Sequence, residues 1–230
     1  MTLATVLFGV VPYLVLTIFV VGHVWRWKYD QWGWTTRTSQ LLEKKWLMWG
    51  SPVFHIGLLM VAGGHFLGLV IPAGATEAIG VSDEVYHIVA VVMGLIAGCV
   101  LSLGLIILLA RRFVTKTRLR IVTMKADIVM YILFGLTVLF GLIATITNNV
   151  VMGPYDYRST ISIWFRSIFT LQPATELMVT VPWLYQVHMV CALLLIAVWP
   201  FTRLVHLWSM PLGFFTRPDM VYHAKTKSVS

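Results

Sequence analysis

The sequence predicts an all-α integral membrane protein built from five transmembrane helices. Three observations predict it. Of 230 residues, 59% are hydrophobic and only 11% charged, with a mean hydropathy of +0.85; a soluble domain is about half apolar and about a quarter charged. Five apolar runs, at about 3–24, 47–70, 86–110, 126–148 and 182–208, each reach the roughly 20 residues that cross a bilayer core. The basic residues gather on alternate connections. An ordinary cytosolic enzyme, a disordered chain and a nucleic-acid binder are excluded.

The first run starts without a basic residue in Met1 to Ala4, and from Val6 onward it is span-length, so it reads as a helix that stays rather than a cleaved signal. After span one come Arg26, Lys28, Arg37, Lys44 and Lys45; after span three come Arg111, Arg112, Lys116, Arg118, Arg120 and Lys125. The C-terminal end carries Arg203, Arg217, Lys225 and Lys227. Fifteen of the 17 basic residues thus fall on one side. The connection after span two has only Glu77, Asp83 and Glu84, and the one after span four balances Arg158 and Arg166 with Asp156 and Glu176. The positive-inside rule puts the N-terminus outside and the C-terminus in the cytoplasm. Residues 1–230 read as a single five-helix domain with a cytoplasmic tail at about 209–230.

The fourth connection carries its own periodicity. Ile161, Trp164, Phe165, Ile168 and Phe169 share one face of a helix, interleaved with Arg158 and Arg166. That pattern predicts an amphipathic helix in the outer interface; a loop packing down on the spans is the alternative.

No Asp, Glu, Lys or Arg lies mid-span; Asp127 and Arg203 sit near helix ends, where an arginine can snorkel. This argues against a proton or cation transporter. The ionisable groups within the spans are histidines: His55 and His65 on span two, His188 and His206 on span five. His23 and His87 stand at span ends, and His223 is in the tail. Neutral imidazole is a standard axial ligand for haem iron. Spans two and five run in opposite directions, so His55 and His206 both lie inward, and His65 and His188 both lie outward. Two bis-histidine haem sites stacked across the membrane follow. Cys99 and Cys191 form no CxxC or CxxCH motif, so the haems are noncovalent and b-type. With both axial positions filled, the chemistry is electron transfer. Structural histidines are the alternative.

Helix geometry strains this pairing. His188 and His206 are separated by about 27 Å along a straight helix, His55 and His65 by about 15 Å. Pro200 should kink span five and absorb part of the difference. Gly57, Gly63, Gly64 and Gly68 surround the histidines of span two, and Gly94 and Gly98 form GxxxG in span three; they offer room for a flat macrocycle or for close helix packing.

Three stretches carry a family resemblance: Ser51-Pro-Val-Phe-His55-Ile-Gly, Gly64-His65-Phe-Leu-Gly68, and Pro200-Phe-Thr-Arg203-Leu-Val-His206-Leu-Trp208-Ser-Met-Pro211. They resemble the cytochrome b (gamma) subunit of membrane-bound respiratory nitrate reductase, and the likeness runs from Pro12-Tyr13 to Thr216-Arg217. The resemblance implies a multi-pass protein of the bacterial cell membrane with two haem b groups. His55 and His206 would ligate the inner one, His65 and His188 the outer. It implies a quinol, menaquinol or ubiquinol, oxidised at the outer side, with electrons passing inward to a cytoplasmic iron–sulfur (beta) subunit. A molybdenum-containing catalytic (alpha) subunit would then reduce nitrate. This chain has no iron–sulfur cysteine cluster, so nitrate chemistry belongs to another chain.

The quinol site is expected beside the outer haem, lined by Gly64, His65, Tyr86 and His87, with the segment around Trp164 as its lid. Some relatives place a lysine near the start of span three, where this chain reads Val85-Tyr86-His87. His87 is the expected proton acceptor, with Glu84 one turn away. The alternatives are a cytochrome b subunit of a sulfur-compound, hydrogenase or formate complex, and a haem-free membrane transporter. The tail from Met210 to Ser230, with the basic loops, is expected to help hold the soluble partner.

Overall fold

The computed structural model describes residues 2–30, 34, 43–115, 119 and 123–209. Five helices are long and apolar enough to cross a membrane: span one (Leu3–Tyr29), span two (Lys45–Val70), span three (Asp83–Thr115), span four (Lys125–Val151) and span five (Trp183–Phe201). All five predicted runs are present. Outward-facing side chains in mid-span are apolar, among them Leu59, Val92, Ile106 and Ile132. In water each would cost roughly 1.5–3 kcal/mol relative to an apolar surrounding. Exposed tryptophans lie near the span ends, Trp25, Trp27, Trp46 and Trp49 at the basic end and Trp183 at the other, as an interfacial belt requires.

Polar caps carry several helices past their apolar runs. The Ser82 hydroxyl accepts from Val85 N at 3.4 Å, and Asp83 and Glu84 occupy the first turn of span three, where the helix dipole favours them. At the basic end, Glu43 Oε1 accepts from Trp46 N at 3.1 Å and starts span two. The same carboxylate takes Arg111 Nε at 2.8 Å, which ties spans two and three together. Mid-bundle, the same two helices touch backbone to backbone. A Cβ at Gly57 would collide with the backbone of Leu101, and one at Gly104 with that of Phe54. Only glycine permits that approach. The GxxxG pair divides instead: Gly98 packs on Leu142, while a Cβ at Gly94 would meet nothing within 4 Å.

Short helices occupy two connections, Ala73–Ala78 between spans two and three, Ile161–Phe169 and Thr175–Val179 between spans four and five. The predicted amphipathic segment is therefore a helix, but its apolar face turns into the protein. Ile161, Trp164 and Ile168 are buried against Phe8, Met178 and Val181; Phe169 is exposed. Trp164 Nε1 donates to the Phe8 carbonyl at 2.8 Å. Just past His65, span two widens into a π-turn, Phe66–Val70, whose carbonyls are met by this helix. The Ser162 hydroxyl donates to Gly68 O, and Arg166 Nη1 donates to Leu69 O at 3.1 Å.

Span five departs from the expected single helix over 182–208. Its α-helix ends at Val198, Trp199–Phe201 tighten into a 3-10 turn, and Thr202 is extended. The chain resumes as a separate 3-10 segment, Arg203–Ser209, which bears His206. Pro200 has no N–H to give the Ile196 carbonyl, so the helix cannot continue undisturbed. Span one meets the break. Gly22 lies against Pro200, where a Cβ would stand 2.8 Å from the proline ring, and Arg26 Nη1 donates to Pro200 O at 2.5 Å and to Thr202 O at 3.3 Å. Residues 210–230, the expected docking tail, lie outside the described residues.

Removing the Arg26 guanidinium should leave those buried carbonyls unpaired. Arg26→Leu is expected to lose about 1.5–3 kcal/mol of stability, read as an earlier thermal transition of the detergent-solubilised protein.

Candidate functional site

Imidazoles from span two meet those of span five and of the segment that follows it, in two pairs. The ring centroids of His55 and His206 are 6.1 Å apart, with planes at 75°; those of His65 and His188 are 6.0 Å apart, with planes at 28°. The near-equal separations remove the difficulty posed by the straight-helix rises. His206 reaches its partner from the segment after the break, not from the far end of a straight span five.

Each of the four rings makes the same bond. Nδ1 of His55 donates to Ser51 O at 2.7 Å, that of His65 to Val61 O at 2.8 Å, that of His188 to Thr137 O at 2.8 Å, and that of His206 to Arg203 O at 2.6 Å. A carbonyl only accepts, so Nδ1 carries the proton and Nε2 keeps its lone pair. This is the tautomer and orientation that a metal-ligating histidine needs. His23 makes a similar bond to Phe19 O at 2.7 Å, but its ring packs on Phe19 and Trp34. The carbonyl bond together with a facing imidazole is what distinguishes the four.

The donor set fits haem. Among the described residues no three or more His, Cys, Asp or Glu converge on one point. Two imidazoles alone suit an iron whose other positions belong to a macrocycle.

Span four prepares the place of His188. Its Thr137 carbonyl takes the Nδ1 proton, and one turn on, a Cβ at Gly141 would stand 2.9 Å from His188 Cε1. The glycines predicted to make room on span two have separate roles. Gly57 serves helix packing, Gly68 lies against the Tyr157 ring, and Gly63 and Gly64 are open beside His65.

The quinol candidates are only partly brought together. Gly64 and His65 are adjacent and exposed on span two. Tyr86, half-buried, joins a cluster of its own: Tyr157 Oη donates to Tyr86 Oη at 3.4 Å, and the Arg158 guanidinium stacks on the Tyr86 ring at 3.9 Å. Arg158 is buried and held by Asp83 at 3.2 Å and the Thr76 hydroxyl at 3.0 Å. Burial, helped by the Tyr86 hydroxyl, holds the Tyr157 phenol well above its usual range, so it remains a donor at neutral pH. His87 is half-buried, and no hydrogen bond or ring contact joins it to His65 among the described residues. Trp164 of the expected lid segment is buried and bonded to Phe8, so the segment is fixed to span one as part of the packed core.

Arg203 does not snorkel to the interface. It bonds a fully buried Asp127 through two nitrogens, at 3.0 and 2.6 Å. Thr137, Gly141, Arg26, Tyr157 and this ion pair were not picked out from sequence. Gly141 and Thr137 look like any small residues of an apolar span, and the charged partners are far apart in the chain.

These features define a class: a five-span membrane protein whose bundle holds two facing imidazole pairs. The chain belongs to the nitrate reductase gamma subunit family, whose model matches residues 4–225. It is 43% identical to the nitrate reductase gamma chain of Bacillus subtilis (strain 168), over 96% of this chain and 98% of that one. It is 30% identical to the respiratory nitrate reductase 1 gamma chain of Escherichia coli (strain K12), over 95% and 96%. It is also 46% identical to the nitrate reductase-like protein NarX of Mycobacterium tuberculosis (strain CDC 1551 / Oshkosh), over 96% of this chain. That relative is longer, and this chain spans 34% of it.

A side chain at Gly141 should evict the His188 ring. If haem is held between His65 and His188, Gly141→Leu is expected to lose most of the absorbance of that haem while the other stays loaded, as read from the reduced-minus-oxidised spectrum.

Proposed function

We propose that this chain is a di-haem b-type cytochrome that anchors a respiratory nitrate reductase complex in the bacterial membrane and oxidises quinol for it. The observation that carries the reading is the set of four imidazoles, each with Nδ1 on a carbonyl, facing one another in pairs at 6.1 and 6.0 Å. His55 and His206 would hold one haem, His65 and His188 the other. Bound there, haem would supply one-electron transfer chemistry.

The charge distribution supports the orientation. Lys and Arg concentrate where spans one, three and five end, which by the positive-inside rule supports a cytoplasmic side there and an outer position for the His65–His188 pair. The partners are a cytoplasmic iron–sulfur (beta) subunit and a molybdenum-containing catalytic (alpha) subunit, in keeping with the family's name. Two cysteines are too few for an iron–sulfur cluster in this chain.

A quinol oxidised to quinone gives up two electrons and two protons. At the outer end, Gly64 leaves the backbone beside His65 open to a flat ring. Tyr86 and Tyr157 offer hydroxyls to the quinol oxygens. His87 takes the two protons one after the other, an imidazole nitrogen being able to accept a proton from a hydroxyl and hand it on, and Glu84, one turn away, passes each outward before the next is taken. Proton release outside, with reducing equivalents delivered inside, conserves energy.

Two sets of variants test this reading. His65→Ala or His188→Ala should remove one spectral component, and His55→Ala or His206→Ala the other. If His65→Ala and His206→Ala abolished the same component, the pairing would be wrong. His87→Phe should slow quinol oxidation by roughly 10²-fold while both haems bind and an artificial dye still reduces the complex. Wild-type quinol turnover in that variant would remove His87 from the reaction.

A further inference from the structure

Asp127 is 0% exposed at the basic end of span four. Arg203 Nε donates to Oδ1 at 3.0 Å and Arg203 Nη2 to Oδ2 at 2.6 Å. Met124 N donates to Oδ2 at 3.2 Å, and Arg112 Nη2 stands 3.7 Å from the same oxygen. A carboxylate buried this completely is costly unless paired, and a two-point guanidinium bond fixes both partners in one geometry.

Arg203 opens the 3-10 segment that follows the break in span five, and its carbonyl accepts the His206 Nδ1 proton at 2.6 Å. One chain of bonds therefore runs from span four through Asp127 and Arg203 to the His206 imidazole. His55, His65 and His188 need no such tether. Each sits within a long helix and bonds a carbonyl of a long helix. His206 sits beyond extended Thr202 on seven residues of 3-10 helix.

We propose that the Asp127–Arg203 ion pair is a positioning device for His206, fixing the carbonyl that sets its tautomer and ring direction. The inference rests on His206 being an axial ligand of the inner haem. Its effect is confined to that site, because the His65–His188 pair bonds carbonyls of Val61 and Thr137.

The test uses the purified complex. Haem content, the reduced-minus-oxidised spectrum and the reduction potential of each haem are measured for wild type, Asp127→Asn and Asp127→Ala. Asp127→Ala should keep the outer haem and bind the inner one roughly 10-fold or more weaker, as loss of an outer-sphere partner does. Asp127→Asn, which keeps shape but loses the charge, should retain both haems and shift the potential of the inner one alone. Wild-type occupancy and potentials in both variants would overturn the proposal. Equal loss or equal shift at the two sites would overturn it too, since that marks a general packing role. A wild-type complex without haem, or a His206→Ala variant that keeps both, overturns the ligand assignment and this inference with it.

Discussion

An imidazole inside an apolar bundle has two ring nitrogens to place, and one is a donor that lipid cannot satisfy. In this protein each of the four facing rings gives that donor to a backbone carbonyl. The choice fixes the tautomer and leaves the other nitrogen with its lone pair. Much of the local design follows from supplying those carbonyls. Ser51 and Val61 are one turn back on the same helix as their histidines. Thr137 belongs to the neighbouring span, which must approach closely, and Gly141 allows it. Arg203 opens the separate 3-10 segment that follows the break and carries His206.

That break has its own consequences. An interrupted helix in a membrane exposes backbone groups that water cannot reach, so the protein must provide their partners. Arg26 takes the carbonyls of Pro200 and Thr202, and Gly22 lets span one close over the proline. Buried charge at the basic end is therefore structural as well as topological. The opposite end is built differently. Short helices and an Arg158–Tyr86–Tyr157 cluster close over the π-turn that follows His65.

The antiparallel course of spans two and five was enough to say which histidines come near each other. Length and hydropathy located the five spans, and the helical period located Ile161–Phe169. The direction of that helix's apolar face was not legible, because a face that packs on protein and one that enters lipid carry the same residues. Pro200 announced a disturbance in span five, but nothing nearby in sequence revealed that Arg26 would receive it or that Asp127 would pair with Arg203. Such partners are chosen by three-dimensional proximity, and a charge near a helix end looks the same whether it snorkels or is buried.

The most direct measurement is the haem content of the purified protein together with the spin state of its iron, by pyridine haemochrome assay and low-temperature electron paramagnetic resonance. Four paired imidazoles predict two b haems per chain, both low-spin. A single haem, no haem, or high-spin iron with an open axial position would contradict the account.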